Sequence, residues 1–170
     1  TLFRSLLVNF KSVLLHFTPD PAAGVARVRS EPPLAGLTVD ASVPLTTRAC
    51  VDWRTRLQAD FSDPNTIRLL GSYAQPCGEQ VWPVAYQDPT SYAARALEGL
   101  WRQGGGGLTG RVRTGTTPTS ARLLLAADSL PLSDIIADVN QFSNNVMAQQ
   151  VFLSLGTPPA VAQFERSREV

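Results

Sequence analysis

The hydrophobic pattern of the chain is strand-like at its start and helical near its end. Residues 6–17 are β-prone and partly alternating, with Val8, Phe10 and Leu14 on one face and Asn9, Lys11 and Val13 on the other, which predicts a strand. Thr18-Pro19-Asp20-Pro21 with Gly24 is strong turn punctuation, and residues 25–29 can return as the partner of a hairpin that Pro32-Pro33 stops. The pattern weakens between residues 45 and 86. There residues 52–60 predict a short helix carrying Trp53 and Leu57, and residues 67–73 and 80–85 predict strands. Residues 60–65 predict a turn whose carboxylates, Asp60 and Asp63, cap and meet solvent. Trp53, Trp82 and Trp101 are expected in core or interdomain packing.

Residues 91–103 carry the clearest helix pattern of this half, with Ala93, Ala96, Leu97, Leu100 and Trp101 at helical spacing behind Ser91 as the expected cap. Four glycines, Gly104 to Gly107, end it. They do not make a phosphate cradle, which needs G-x-x-x-x-G-K-[ST] between a strand and a helix. Residues 108–113 and 120–127 read as strands, with a turn over residues 115–119.

Residues 130–156, LPLSDIIADVNQFSNNVMAQQVFLSLG, predict two short amphipathic helices meeting at Ser143-Asn144-Asn145. Leu132, Ile135, Ile136, Val139 and Phe142 recur at helical spacing on the first, behind Pro131 in its first turn. Met147, Val151 and Leu155 form the stripe of the second, which Gly156 and Pro158 should stop. Residues two apart on a continuous helix diverge, so Ser143 and Asn145 can share a pocket only if the backbone breaks between the helices. Read as a tripeptide alone, Ser143 is an N-cap of the second helix.

Composition narrows the classes of function only slightly. Hydrophobic residues make up 44% and charged residues 17%, the balance of a globular chain, and a net charge of +1 argues for neither nucleic acid nor an anionic membrane as partner. Lys11 is the only lysine, against fourteen arginines. No apolar run is long enough for a membrane-spanning helix. His16, the only histidine, sits on the first predicted strand as a partly exposed polar position, with nothing nearby to complete a Ser-His-Asp triad. Cys50 and Cys77 cannot make a four-ligand zinc site, and by themselves they read equally as buried free thiols. With Thr1 opening a few residues before a strand and no initiator methionine, the chain looks like a piece of a longer one.

Six blocks, SLLVNFKSVLLHF, EPPLAGL, RACVDWR, GSYAQPCGEQVWPVAY, GLWRQGGGGLTGRVRTG and PLSDIIADVNQFSNNVMAQQVFLSLG, occur in this order along the chain. Together they resemble the class C low-molecular-mass penicillin-binding proteins, the penicillin-binding protein 4 type of D-alanyl-D-alanine carboxypeptidase/endopeptidase, with Ser143-Asn144-Asn145 at its S-x-N motif. The resemblance implies a mixed α+β fragment of a multi-domain protein. Residues 1–120 would be the returning part of a β-rich inserted domain, and residues 121–170 part of the transpeptidase-like domain, with residues 120–127 leading back into it. It implies a Cys50–Cys77 disulfide, worth about 3 to 4 kcal/mol on the chain-entropy account, and hence an oxidising compartment, the bacterial periplasm.

The chemistry implied is acyl transfer to a serine. In the family the S-x-x-K serine attacks the carbonyl of a D-Ala peptide bond in peptidoglycan and an acyl-enzyme forms, the step that β-lactams trap. Ser143 would help relay the proton to the leaving group. Asn145 would donate its amide to the substrate carbonyl and turn its oxygen to the lysine. Asn144 is not expected to touch substrate. The resemblance implies no cofactor and no metal. S-x-x-K is absent from this chain, as it must be with Lys11 alone, and Arg113-Thr114-Gly115 is no K-T-G, because it precedes S-x-N. The chain alone should therefore be inactive. Two other readings stand beside this one, a non-catalytic cell-wall-binding or scaffold module and a serine esterase or β-lactamase relative.

Overall fold

The computed structural model describes residues 8–155 and residue 168. Its elements are β1 (Ser12–Asp20), β2 (Val25–Glu31), β3 (Thr38–Val39), β4 (Ser42–Thr46), β5 (Leu57–Asp60), β6 (Thr66–Gly71), β7 (Tyr73–Ala74), β8 (Gln80–Ala85), α1 (Tyr92–Gln103), α2 (Leu132–Gln141) and α3 (Asn145–Leu155). The fold class is α+β. Leu7–Gly115 forms one compact unit, and the described residues from Thr116 onward belong to a second.

In the first unit, a five-stranded sheet runs β7-β4-β2-β1-β8 and a three-stranded sheet runs β3-β6-β5. The hairpin expected at the start forms: β1 pairs antiparallel with β2 from Leu14↔Glu31 to Asp20↔Val25. Its turn is held by Asp20, whose Oδ1 accepts from Ala23 N at 3.1 Å and whose Oδ2 meets Arg27 at 2.8 Å. The buried face is the one that carries Val13, opposite the expected grouping of Val8, Phe10 and Leu14. Val13, Leu15 and Phe17 are fully buried, whereas Phe10 is 57% exposed. The cause is a left-handed turn at Asn9, Phe10 and Lys11, with φ of 45°, 48° and 58°, which breaks the strand before Ser12 and resets its alternation.

The inner sides of both sheets share one core, in which Phe17 stacks on Tyr73 with ring centroids 5.5 Å apart. Trp53 tilts against both rings and meets Trp82 edge-on at 6.0 Å. Residues 52–60 are therefore not the expected helix: Trp53 lies in a turn, and Leu57–Asp60 becomes β5 on the edge of β6. Tertiary packing of one tryptophan outweighs a weak local pattern here. The Cys50–Cys77 disulfide forms beside this cluster, with Cα atoms 5.0 Å apart and Cys77 buried. The turn at residues 60–65 is built as expected. Asp60 accepts from Ser62 N and Asp63 from Asn65 N, each at 2.8 Å, and these backbone bonds hold both carboxyls below their ordinary range.

Helix α1 forms, but it docks by a different face. Tyr92, Ala96 and Gly99 are buried, while Leu97, Leu100 and Trp101 are exposed. The backbone of residues 33–35 runs so close that a Cβ on Gly99 would lie 2.1 Å from the Pro33 carbonyl oxygen, so the small-residue face is the one that fits. Tyr92 fastens the helix to β1 by donating to Ser12 O at 2.7 Å. Ser91 makes no capping bond; Asp88 instead braces the turn ahead of the helix, accepting from Thr90 Oγ1 at 2.5 Å and from the Thr90 and Ser91 backbone amides. Those bonds, the Thr90 hydroxyl foremost, lower the Asp88 pKa to about 2. What they contribute is present above the ordinary carboxyl value and is lost only as pH falls through about 2. Trp101 is not core. It leans on Gly106 and donates to Gly107 O at 2.9 Å, closing the glycine run over the helix end.

After α1 the expected strands do not form. Residues 108–113 and 120–127 carry no ladder among the described residues, and Leu123, Leu124 and Leu125 are 79%, 82% and 84% exposed. A strand pattern without a neighbouring strand to accept its N–H groups stays an extended segment. The turn lies at Pro118–Ala121, slightly later than expected.

Replacing Gly99 by Ala should destabilise the chain even though alanine favours an exposed helix by about 1 kcal/mol. Displacing the Pro33 backbone costs about 1–3 kcal/mol, so we expect the Gly99→Ala melting temperature to fall by several degrees. Gly104→Ala, where a Cβ meets nothing closer than 3.5 Å, should leave it unchanged. Thermal unfolding followed by circular dichroism reads both. A Gly99→Ala variant as stable as the parent would contradict the close approach.

Candidate active site

Two short helices and the corner between them carry the sequence-predicted site. Leu132–Gln141 begins behind Pro131, with Asp134 in its first turn where the helix dipole favours a negative charge. Phe142 N still donates to Asp138 O at 2.9 Å, and Asn144 N reaches back to Val139 O at 2.9 Å, which closes the helix end. Between these two residues Ser143 takes φ 50°, the left-handed conformation. The backbone break required for Ser143 and Asn145 to address one cleft is therefore present. Helix α3 restarts at Asn145.

The cap of α3 falls one residue later than the tripeptide suggests. Asn144 Oδ1 accepts from Met147 N at 3.1 Å, and Asn144 O accepts from Ala148 N at 3.0 Å. Asn144 is half-buried, whereas Ser143 and Asn145 are exposed. Neither the Ser143 hydroxyl nor the Asn145 carboxamide has a hydrogen-bond partner among the described residues. The reading of Ser143 as the cap is thus corrected: Asn144 satisfies the orphan amide, and the two flanking side chains are released from that task. The signal was in the sequence, since Asn ranks with Ser as an N-cap, but the choice between adjacent residues depends on where the left-handed residue falls.

The apolar faces of these helices are only partly covered. Val139 on α2 and Leu153 on α3 are buried, while Leu132, Ile136, Phe142, Val146 and Leu155 remain exposed. The expected stop at Gly156 and Pro158, and the further helix expected beyond it, lie outside the described residues.

Other candidate chemistry stays apart from this corner. His16 is half-buried on β1, with Nε2 3.4 Å from Glu31 Oε2, and among the described residues its side chain hydrogen-bonds to no serine or cysteine. Arg113-Thr114-Gly115 lies in irregular chain with no strand, unlike a K-T-G motif. Lys11 is spent on structure, its Nζ donating to Pro89 O. No group of three or more metal-ligating side chains occurs among the described residues.

The sequence profile of the D-Ala-D-Ala carboxypeptidase 3 (S13) family matches residues 4–166. The chain belongs to this family. The membership bears out the resemblance drawn from the six sequence blocks, and it covers almost the whole chain. No curated protein sequence matches significantly. Among solved structures, the chain is similar to penicillin binding protein 4 from Haemophilus influenzae, crystallised in complex with a β-lactam, at a TM-score of 0.53 and 19% identity. That match covers 95% of this chain and 37% of the Haemophilus protein, so the S13 chain spans well under half of its structural relative. At this identity the likeness is one of fold. It agrees with the α+β arrangement of two sheets and three α-helices among the described residues. None of the described helices is long and apolar enough to cross a membrane.

If Asn144 is the cap and Ser143 is not, their alanine variants should differ. Asn144→Ala should raise the hydrogen-exchange rate of the Met147 and Ala148 amides by an amount equivalent to about 1 kcal/mol, while Ser143→Ala leaves those amides unchanged. Equal effects, or a larger one from Ser143→Ala, would restore Ser143 as the cap.

Proposed function

We propose that this S13 chain supplies the S-x-N element of a serine-type D-alanyl-D-alanine carboxypeptidase/endopeptidase that cleaves D-Ala peptide bonds of peptidoglycan. The observation that carries this reading is the left-handed Ser143 between α2 and α3, with Asn144 taking the cap. A non-glycine residue in that conformation costs about 1–2 kcal/mol, which glycine would avoid. A hydroxyl kept there at such a cost, and given no structural bond, suits a functional role.

In the mechanism, the serine of an S-x-x-K motif adds to the carbonyl of the D-Ala bond, the C–N bond breaks as the leaving amine takes a proton, and water later hydrolyses the acyl-enzyme. Ser143 passes that proton along. Asn145 holds the substrate carbonyl through its amide N–H and orients the lysine through its oxygen, using both ends of one side chain. β-Lactams would acylate the same serine and stay attached. This chain contains no S-x-x-K, so it completes such a site without being one.

On the same reading, residues 1–120 are the returning part of a β-rich inserted domain, and residues 121–170 begin the transpeptidase-like domain. The Cys50–Cys77 disulfide supports an exported, periplasmic protein.

The test is acylation of the whole protein by a fluorescent penicillin. Ser143→Ala and Asn145→Ala should each lower the acylation rate constant by about 100-fold or more, the usual loss for a proton-relay or carbonyl-binding group. The isolated 170-residue chain should take no label. Wild-type acylation rates in both variants would overturn the assignment, and so would a labelled serine in the isolated chain.

A further inference from the structure

Arg95, Glu98, Gly99 and Arg102 fall on one face of α1, at the three- and four-residue spacings that align side chains on a helix. They border a cleft of about 830 Å³, within the size range of ligand sites, whose other lining includes Pro33, Ala35, Arg111 and Val112. It lies wholly within the unit Leu7–Gly115.

The charges in the cleft do not cancel. Arg102 Nη2 donates to Glu98 Oε1 at 2.6 Å, which pairs the one acidic side chain of the lining. Arg95 is held by neutral acceptors only, Nη2 donating to Asn65 Oδ1 at 2.6 Å and Nη1 to Ala35 O at 3.3 Å, with the guanidinium 5.9 Å from the Tyr86 ring centre. Its position is fixed before any ligand arrives and its charge is left unmatched. Arg111 is exposed and has no carboxylate partner among the described residues. Three guanidiniums thus face one carboxylate.

We propose that this cleft binds a short peptide that carries carboxylates. Guanidinium groups take carboxylates through paired N–H donors, and Arg95 and Arg111 offer two such positions. Glu98, only 18% exposed and already paired with Arg102, adds a negative charge that disfavours a polyphosphate chain. The aliphatic and backbone surface of Pro33, Ala35 and Val112 suits the uncharged part of a peptide rather than a bare inorganic ion. Binding here is independent of acylation, so it stands or falls separately from the S-x-N reading.

The experiment is an amide-detected NMR titration of the full chain with the tetrapeptide Ala-Glu-Ala-Glu, its fully amidated counterpart, and tripolyphosphate. The expected result is saturable shifts over residues 33–36 and 94–102 with the acidic peptide, weakening as salt shortens the screening length below about 8 Å. The amidated peptide should bind at least tenfold more weakly. Arg111→Gln, an exposed position whose variant should keep the dispersed spectrum, should weaken the acidic peptide about five- to tenfold. Equal binding of the amidated peptide, wild-type affinity in Arg111→Gln, or tighter binding of tripolyphosphate than of the peptide would each overturn the proposal.

Discussion

A single bond, from Met147 N to Asn144 Oδ1, decides how the corner between the last two helices is used. A helix start leaves amides that some side chain must satisfy, and at a Ser-Asn-Asn junction any of the three could do so. With Asn144 in that role, the left-handed residue is Ser143, and the chain turns where Ser143 and Asn145 flank the cap. The tripeptide divides its labour: the middle residue builds the turn, and the outer two present a hydroxyl and a carboxamide. A serine at φ 50° whose hydroxyl makes no bond contributes nothing to the fold that glycine would not supply more cheaply.

The two units solve the problem of burial differently. In the first, Phe17, Trp53, Tyr73 and Trp82 interlock between two sheets, the disulfide fixes the loop beside them, and Gly99 lets α1 lie against the backbone of residues 33–35. Each of these contacts joins segments far apart in sequence, so the core is specified by tertiary fit more than by local propensity. In the second, Leu123 to Leu125 form no ladder, and much of the apolar surface of α2 and α3 stays open. Apolar surface of this kind asks for a partner. On the proposed reading that partner is the sheet of the transpeptidase-like domain.

Much of this was legible in the residues, for reasons that are local. The Pro-Asp-Pro turn and Gly24 fixed the first hairpin, the Asp-rich turn at residues 60–65 followed from Asx chemistry, and the break at Ser-Asn-Asn followed from two helical stripes meeting at a polar junction. The disulfide came from the family resemblance rather than from spacing. The errors have two causes, backbone geometry that the residues do not display and contacts distant in sequence. The buried face of β1 depends on a left-handed turn that no pattern announces. Trp53 is drawn out of a helical pattern by Phe17 and Tyr73. The docking face of α1 is chosen by the Pro33 carbonyl and not by its leucines, and residues 108–113 and 120–127 have strand composition but no strand to join.

The most direct test of the central claim is a crystal structure of the whole protein acylated by a β-lactam. The account predicts that α2 and α3 remain broken at a left-handed Ser143, with Ser143 Oγ and Asn145 Nδ2 both within hydrogen-bond distance of the adduct or of the lysine beside it, and with Asn144 still bonded to the Met147 amide. One continuous helix through residues 141–147, or the hydroxyl and the carboxamide directed into separate surroundings, would contradict it.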